Sequence, residues 1–264
     1  MKKTTRILSL VLAALMLFVF CSCTKEAGTD SEYIAKKGKL IVGVTDFEPM
    51  DYRDASGNWI GFDADYAAAF AEYLGVKVEF IEIDWDSKET EIANKTIDCV
   101  WNGMTITDAV KEAMETSNTY MLNAQVIVVP ADKADTIKTA DDLMTLKVAC
   151  EKGSAADELL TELGVASIIR LDAQSDTLLE VKSGTSDAAV IDLNMAAAMT
   201  GEGTSYADLT YTGSLNSEEY GVGFRKGSDL AAKLNEFMKT YYADGKVAAL
   251  AEKYSIPSAT IIAQ

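Results

Sequence analysis

FDADYAAAFAEYLGVKVEFIEI, residues 62–83, specifies the architecture of the chain more clearly than any other segment. Apolar residues recur at helical spacing in its first half, which ends at Gly75, a residue typical of helix termini. Its second half alternates apolar and polar residues as a strand does. A predicted strand precedes it (KGKLIVGVTD, residues 37–46), and a short helix and a buried strand follow it (SKETEIANKT and IDCVW, residues 87–101). This β-α-β-α order predicts a mainly parallel sheet with helices on both faces.

A second unit of the same kind begins at residue 147. KVAC, ASIIRL and DAAVI are its predicted strands, and a helical segment follows each of them. Two extended runs, AQVIVVP (residues 124–130) and EEYGVGFR (residues 218–225), stand before and after this unit. If both runs pass between the units, two α/β lobes are joined by a two-strand hinge above a cleft. We therefore predict lobe one from residues 32–125 and 223–264, and lobe two from residues 126–222.

The N-terminal segment has the features of a secretory signal. Lys2, Lys3 and Arg6 precede an apolar run over residues 7–20, which is too short for a comfortable membrane span. Ser22 supplies the small residue that cleavage before Cys23 needs, as in bacterial lipoproteins. We predict a signal peptide over residues 1–22, lipidation of Cys23 and a tether over residues 23–31. An ordinary cleaved signal with an incidental cysteine is the alternative.

Composition excludes several classes of function. The formal net charge is −17, so nucleic acid, which needs clustered Lys and Arg, is not an expected partner. The chain has no histidine, which excludes a Ser-His-Asp triad and a histidine general base. Cys99 and Cys150 are expected to be buried free thiols, although an exported protein is also able to form a disulfide. No metal and no cofactor are expected.

The cleft should be lined by residues at the carboxyl ends of the strands, where open α/β sheets bind ligands. In lobe one these candidates are Phe47, Trp85, Asn102, Gly103 and Thr105. The residues that follow Trp101 are predicted to form a small polar loop before the next helix. Phe47 could instead be a core residue. Gly103 permits a close approach of the backbone, and Thr105 offers a hydroxyl group. Thr107, two residues further on, is explained by helix capping alone.

Lobe two contributes a helix start and an acid. Ser154 and Ala155 begin a predicted helix, whose backbone N–H groups are able to receive a carboxylate. Asp192 follows a buried strand and is able to pair with a ligand ammonium group. Both Ser154 and Asp192 could instead be simple N-caps. An enzyme would have to use carboxylates, and Glu48, Glu151 and Asp192 are those placed near the cleft.

Taken together, these segments resemble the amino-acid-binding proteins of ABC importers, the polar amino acid family. The matching motifs include GNWIGFDADYAAAFAEYLGVKVEF, DWDSKE, DCVWNGMTIT, KVACEKGSA, TSDAAVIDLN and EEYGVGFRKGSDLAAKLN, and they cover nearly all of the mature chain. The resemblance implies a two-lobed periplasmic-binding-protein fold of type II that traps its ligand by lobe closure. It also implies that Phe47 stacks on the ligand, that Ser154 and Ala155 hold its carboxylate and that Asp192 holds its α-ammonium group.

The chain departs from the family pattern at residue 110. The resemblance implies an arginine there that clamps the α-carboxylate, but the sequence has Val110. Lys111 lies about 100° further round the helix and does not substitute without a shift. Alanine also replaces a hydroxyl residue at Ala155. We therefore hypothesise that the ligand is not a standard amino acid held in the usual way.

The leading prediction is an extracytoplasmic, lipid-anchored binding protein, and not an enzyme, that delivers an amino-acid-like solute to ABC permease and ATPase subunits. A monomer is expected. The first alternative is a sensor or scavenging lipoprotein that signals without transport. The second is a carboxylate-dependent, dehydratase-like enzyme on the same fold.

Overall fold

A computed structural model describes residues 28–264. The predicted signal peptide, Cys23 and the first part of the predicted tether lie outside these residues. The first helix begins at Asp30, with Thr29 as its N-cap. Residues 30 and 31, predicted as the end of the tether, are therefore helical, because the Thr29 side chain accepts a hydrogen bond from the Glu32 N–H group.

The described residues form helices and strands in alternation. The α-helices are α1 (Asp30–Lys37), α2 (Phe62–Tyr73), α3 (Lys88–Ala93), α4 (Asp108–Ala113), α5 (Ala140–Leu143), α6 (Ala155–Leu163), α7 (Gln174–Ser183), α8 (Leu193–Met199), α9 (Leu230–Ala243) and α10 (Lys246–Lys253). The strands are β1 (Lys39–Val44), β2 (Tyr52–Arg53), β3 (Trp59–Ile60), β4 (Lys77–Glu82), β5 (Cys99–Thr105), β6 (Glu115–Thr116), β7 (Met121–Asn123), β8 (Gln125–Pro130), β9 (Lys147–Glu151), β10 (Ser167–Leu171), β11 (Ala188–Asp192), β12 (Leu209–Ser214) and β13 (Glu218–Phe224).

The first sheet has the order β4-β1-β5-β13-β6, and β7 also pairs with β13. Strands β4, β1 and β5 run parallel, as the β-α-β-α pattern predicts, whereas β13 runs antiparallel to β5. The pairing with β13 extends β5 to Thr105. Asn102, Gly103 and Thr105, predicted to lie in a loop, are therefore in a strand, because β13 pairs with this segment up to its end.

The second sheet has the order β10-β9-β11-β8-β12. Its strands β10, β9 and β11 are parallel, and β8 and β12 are antiparallel to their neighbours. Each sheet thus combines three parallel strands with antiparallel strands. Among the antiparallel strands, β8 brings the chain into the second sheet and β13 returns it to the first. The α-helices pack on the faces of both sheets, and α10 also packs against α2.

The chain passes between the two sheets twice. It leaves the first sheet after Asn123 and returns to it at Glu218. The two crossings lie side by side, since the Leu215 N–H group donates to the Gln125 carbonyl oxygen at 2.8 Å. We call the first sheet with its helices lobe one and the second lobe two. The lobe boundaries predicted from the sequence stay a prediction. In the structure, β13 already belongs to the first sheet from Glu218 onward, so the second crossing lies at residues 215–217, before the predicted boundary after residue 222.

Cys99 and Cys150 are buried free thiols, one in each sheet. Within residues 28–264, no helix combines the length and apolar character needed to cross a membrane.

Candidate ligand-binding site

All eight residues predicted from sequence line one cavity between the lobes. They are Phe47, Trp85, Asn102, Gly103, Thr105, Ser154, Ala155 and Asp192. The cavity has a volume of about 30 Å³. A space of this size holds one or two water molecules. A solute the size of an amino acid therefore requires the lobes to separate or the lining side chains to move.

Phe47 and Gly103 form the floor of the cavity on lobe one. Gly103 has a φ angle of +55°, a conformation that L side chains rarely adopt. A Cβ atom at this position would lie 2.6 Å from Cε1 of Phe47. The Phe47 ring thus occupies the space that the missing side chain of Gly103 leaves open. The ring also contacts Tyr220 edge to face.

Asn102 and the Gly103 backbone are held by a buried network behind the cavity. The Asn102 amide donates to the Thr45 carbonyl oxygen and to Asp51, and its Oδ1 atom accepts from Thr45. The Gly103 N–H group donates to Oδ2 of Asp63 at 2.7 Å. Burial raises the pKa of Asp63 to about 7. These contacts position the loop-facing end of β5 and occupy most of the hydrogen-bonding groups of Asn102.

Asp192 lies at the end of β11, beside the hinge. Its Oδ1 atom accepts hydrogen bonds from Asn123, from Gln125 at 3.2 Å and from the Tyr220 hydroxyl at 2.8 Å. Its Oδ2 atom accepts none from any residue in the described part of the chain. Burial, followed by the charge of Glu218, raises the pKa of Asp192 to about 8. A cation at Oδ2 would therefore meet a carboxylate that is oriented but poorly solvated.

Glu218 connects the hinge to the cavity. Its Oε1 atom accepts from Thr105, Asn123 and Gln125, and the Thr105 hydroxyl lies 2.8 Å away. The hydroxyl of Thr105 is thus engaged by the hinge in this conformation. Sequence reasoning did not identify Glu218, because its position beside the cavity depends on the antiparallel pairing of β13 with β5.

The start of α6 is available to an anion. Ser154 is the N-cap, and its hydroxyl accepts from the Asp157 N–H group and donates to the Glu151 carbonyl oxygen. The N-cap prediction for Ser154 is therefore consistent with this geometry. The N–H group of Ala155 follows the cap and donates to no acceptor within residues 28–264. Free N–H groups at a helix start attract negative charge.

Val110 lies outside the cavity. It is buried in an apolar cluster of lobe one with Trp85, Met104 and Met114. The side chain of Lys111 is exposed and pairs with Asp108 at 3.5 Å. Helix α4 therefore contributes no cation to the cavity.

Lys88 is the cation that the cavity does contain, and sequence reasoning missed it. Lys88 is only 5% exposed, and it lines the cavity from the start of α3. The Nζ atom donates to the carbonyl oxygens of Trp85 and Gly153, at 3.3 and 3.0 Å, and lies 5.0 Å from the centroid of the Trp85 ring. The spacing of three residues between Trp85 and Lys88 is a signal that could have placed them on the same side.

Glu151 and Gln174 complete the polar lining on lobe two. Gln174 accepts a hydrogen bond from the Asp192 N–H group at 2.6 Å. Glu151 is 5% exposed, and its Oε1 atom is buried without a hydrogen-bond partner in the described chain. Burial, followed by the charge of Asp192, raises the pKa of Glu151 to about 8, and Lys88 opposes this shift. An unpaired buried carboxyl oxygen that lines a cavity is a candidate contact for a ligand.

A wider depression of about 800 Å³ adjoins the cavity and shares Thr105, Thr107 and Ala155 with it. We call it the mouth. Its charged lining residues are Asp108, Lys111, Glu158, Glu162, Glu218 and Glu219. Five acids against one lysine give the mouth a negative potential.

A small cavity closed between two α/β lobes, with a hinge acid on one side and a free helix start on the other, defines the class of two-lobed solute-binding proteins. Comparison with known proteins places the chain within this class. It belongs to the bacterial extracellular solute-binding proteins, family 3, whose family model matches residues 40–257. Extracellular solute binding is the role that defines the family, and the resemblance seen in the sequence is thereby confirmed.

Individual relatives agree with this placement. The chain is 30% identical over 258 residues to the arginine-binding extracellular protein ArtP of Bacillus subtilis, covering 94% of this chain and 96% of that protein. A mutant of the arginine-binding protein ArgBP from T. maritima superposes with a TM-score of 0.81 at 33% identity, covering 86% of this chain and all of that chain. An ancestral amino acid-binding protein, described as a precursor of cyclohexadienyl dehydratase, gives a TM-score of 0.77 at 34% identity, covering 85% and 98% of the two chains. The two-lobed, type II periplasmic-binding fold predicted from sequence is confirmed by these likenesses.

Proposed function

We propose that this protein captures an amino acid or a close analogue by closure of its lobes and delivers it to an ABC importer. The observation that carries the proposal is the meeting of Asp192 and the start of α6 in one cavity. Neither Oδ2 of Asp192 nor the N–H group of Ala155 has a hydrogen-bond partner among residues 28–264. The first suits an ammonium group, and the second suits a carboxylate. These two groups are what every α-amino acid carries.

Lobe closure is part of the proposal because the cavity is too small for free entry. Contacts between the lobes, such as that of Lys88 with Gly153, are of the kind that hold a closed form. A hinge of two short crossings permits rotation of one lobe against the other. The likeness to arginine-binding proteins supports an amino acid as the solute.

Isothermal titration of the purified protein with the twenty standard amino acids tests this function. We expect saturable binding of at least one of them, and loss of that binding in Asp192→Asn. Absence of binding to every amino acid would refute the proposal. Recovery of the ligand with unchanged mass after prolonged incubation would support binding without chemistry, whereas a product of altered mass would support the dehydratase-like alternative.

We further propose that the protein works outside the cytoplasm as a monomer, anchored by lipid on Cys23. The basic n-region, the apolar run and Ser22 before Cys23 support this part of the proposal. Fractionation of cells should find the protein with membranes, and Cys23→Ala should release it. A membrane-bound Cys23→Ala variant would contradict anchoring through this residue. Loss of ligand uptake on deletion of the protein would support transport over sensing.

A further inference from the structure

Lys88 and Glu151 carry the two charges of the cavity that an ordinary amino acid held by Asp192 and α6 does not explain. Both residues are buried and both line the cavity, Lys88 from lobe one and Glu151 from lobe two. Neither satisfies the other, since Lys88 makes its ion pair with Glu89 at 3.6 Å and Oε1 of Glu151 has no hydrogen-bond partner in the described chain. Because an unpaired carboxylate is costly to bury, Glu151 is expected to ionise when a cation is bound beside it.

Lys88 lies where the carboxylate of a ligand would arrive. Its Nζ atom is 3.0 Å from the carbonyl oxygen of Gly153, two residues before Ala155 and the free start of α6. With Val110 buried and Lys111 turned to solvent, α4 brings no cation to the cavity, whereas Lys88 brings one from α3. An ammonium group on a flexible stem is able to turn from a carbonyl oxygen to a carboxylate.

Glu151 and Asp192 stand at the ends of neighbouring parallel strands, β9 and β11. They are separate acids in one cavity. Oε1 of Glu151 is buried without a hydrogen-bond partner among the described residues, and the three side chains that donate to Asp192 all reach its Oδ1 atom. With Lys88, the cavity therefore presents one positive side chain and two acids that ionise when a cation is bound beside them. An α-amino acid with a cationic side chain carries the complementary set, one carboxylate and two cations. A neutral amino acid would leave one of the acids unmatched.

The mouth agrees with this charge balance. Its five acids and single lysine attract cations and repel anions as a solute approaches. A net negative funnel raises the rate at which a positively charged solute enters.

Building on the proposed function, we propose that the ligand is a basic α-amino acid whose carboxylate is bound by Lys88, in place of the missing arginine, and whose side-chain cation is bound by Glu151. Asp192 binds the α-ammonium group. Lys88 and Glu151 are thus the residues that set specificity in this chain, and the ligand is a standard amino acid, contrary to the hypothesis drawn from Val110.

Calorimetric titration with three matched probes tests this inference. L-arginine has all three charged groups, L-citrulline has the same length but a neutral side chain, and agmatine is arginine without its carboxylate. We expect the wild type to bind L-arginine at least about tenfold more tightly than L-citrulline, since a charged hydrogen bond is lost. Glu151→Gln should abolish that preference. Lys88→Met should weaken L-arginine by about tenfold or more and leave agmatine unchanged, and Lys88→Arg should retain binding.

Controls separate the possible failures. Glu236→Gln and Lys239→Met change exposed charges on α9, outside the cavity, and should bind all probes like the wild type. Thermal unfolding of each variant establishes that it is folded, and the preference of the wild type is informative even if a variant is not. Tighter binding of a neutral amino acid such as L-glutamine than of L-arginine would overturn this inference and leave the proposed function intact. Absence of binding to every amino acid would overturn both.

Discussion

The Nζ atom of Lys152 lies 2.6 Å from Oδ2 of Asp86 and joins the two lobes at the edge of the cleft. The hydrogen bond from Lys152 holds the pKa of the Asp86 carboxyl below its usual range. The two side chains are 53% and 34% exposed, so water and salt screen the pair. The pair therefore contributes only a little to the stability of the closed arrangement of the lobes.

Asp86→Asn should shift the lobes modestly toward an open arrangement. Because exposed ion pairs contribute little, we expect ligand affinity to fall by no more than about fivefold at low salt. The difference from the wild type should shrink as sodium chloride is raised from about 0.05 to 0.5 M, since the Debye length shortens. Titration calorimetry at both salt concentrations measures this effect, and a much larger loss that persists at high salt would contradict it.

Asp192→Asn should separate binding from stability. Removing one partner of a buried charge pair typically lowers affinity by about 30-fold or more, so ligand binding should be lost or nearly lost. The ligand-free variant should unfold at a urea concentration equal to or above that of the wild type at pH 8. The reason is that the asparagine removes a desolvated charge that lies beside Glu218.

Asp172→Asn is the matched control, because Asp172 is exposed on the same lobe and does not line the cavity. It should change neither affinity nor stability. An Asp192→Asn protein that binds like the wild type would remove Asp192 from the site.

The ligand-free protein should become less stable as pH rises from about 5 to 8. Burial raises the pKa of Glu151 and of Asp192 to about 8 and that of Asp63 to about 7. In the unfolded chain these groups ionise near pH 4, so over this range the folded state binds more protons. Their contribution to stability is complete below about pH 4 and is lost as pH rises through 7 to 8.

Calorimetric unfolding at several pH values measures this slope. Saturating ligand should flatten it, because a cation bound beside Glu151 and Asp192 favours their charged forms. A stability that rises steadily from pH 5 to 8 without ligand would contradict the assignment of these buried acids.

Regular elements were predictable from the sequence because their signals are local. The apolar spacing of α2 and the alternation in β4 follow from the periods of helix and strand, and the β-α order then places the strand ends at the cleft. The same logic brought Phe47, Ser154 and Asp192 together. The loop predicted at residues 102–105 was wrong, because the partner that makes it a strand, β13, lies more than a hundred residues away.

Lys88 and Glu151 could not be identified as a complementary pair from sequence, because their significance depends on lobe closure. A lysine at the start of a short helix is ordinarily solvated, but Lys88 is buried where it contacts Trp85 of its own lobe and Gly153 of the other lobe. The valine at position 110 indicates that the expected arginine is missing from α4. It does not indicate which other residue brings a cation to the cavity. Whether a lysine from another helix replaces the missing cation depends on long-range packing, which local periodicity does not indicate.

Gly103→Ala should damage both the fold and the site. The residue has a φ angle of +55°, and the added Cβ atom would lie 2.6 Å from the Phe47 ring, which is buried and cannot move freely. We expect a loss of about 1–3 kcal/mol in the free energy of unfolding.

Gly75→Ala is the matched control, because Gly75 has a similar φ of +72° but no atom within 4 Å of the added Cβ. That variant should lose only about 1 kcal/mol, the cost of the backbone conformation alone. Urea unfolding of both variants measures the difference, and equal losses would mean that Phe47 yields without cost. Ligand affinity should fall in Gly103→Ala alone, since displacement of Phe47 alters the floor of the cavity.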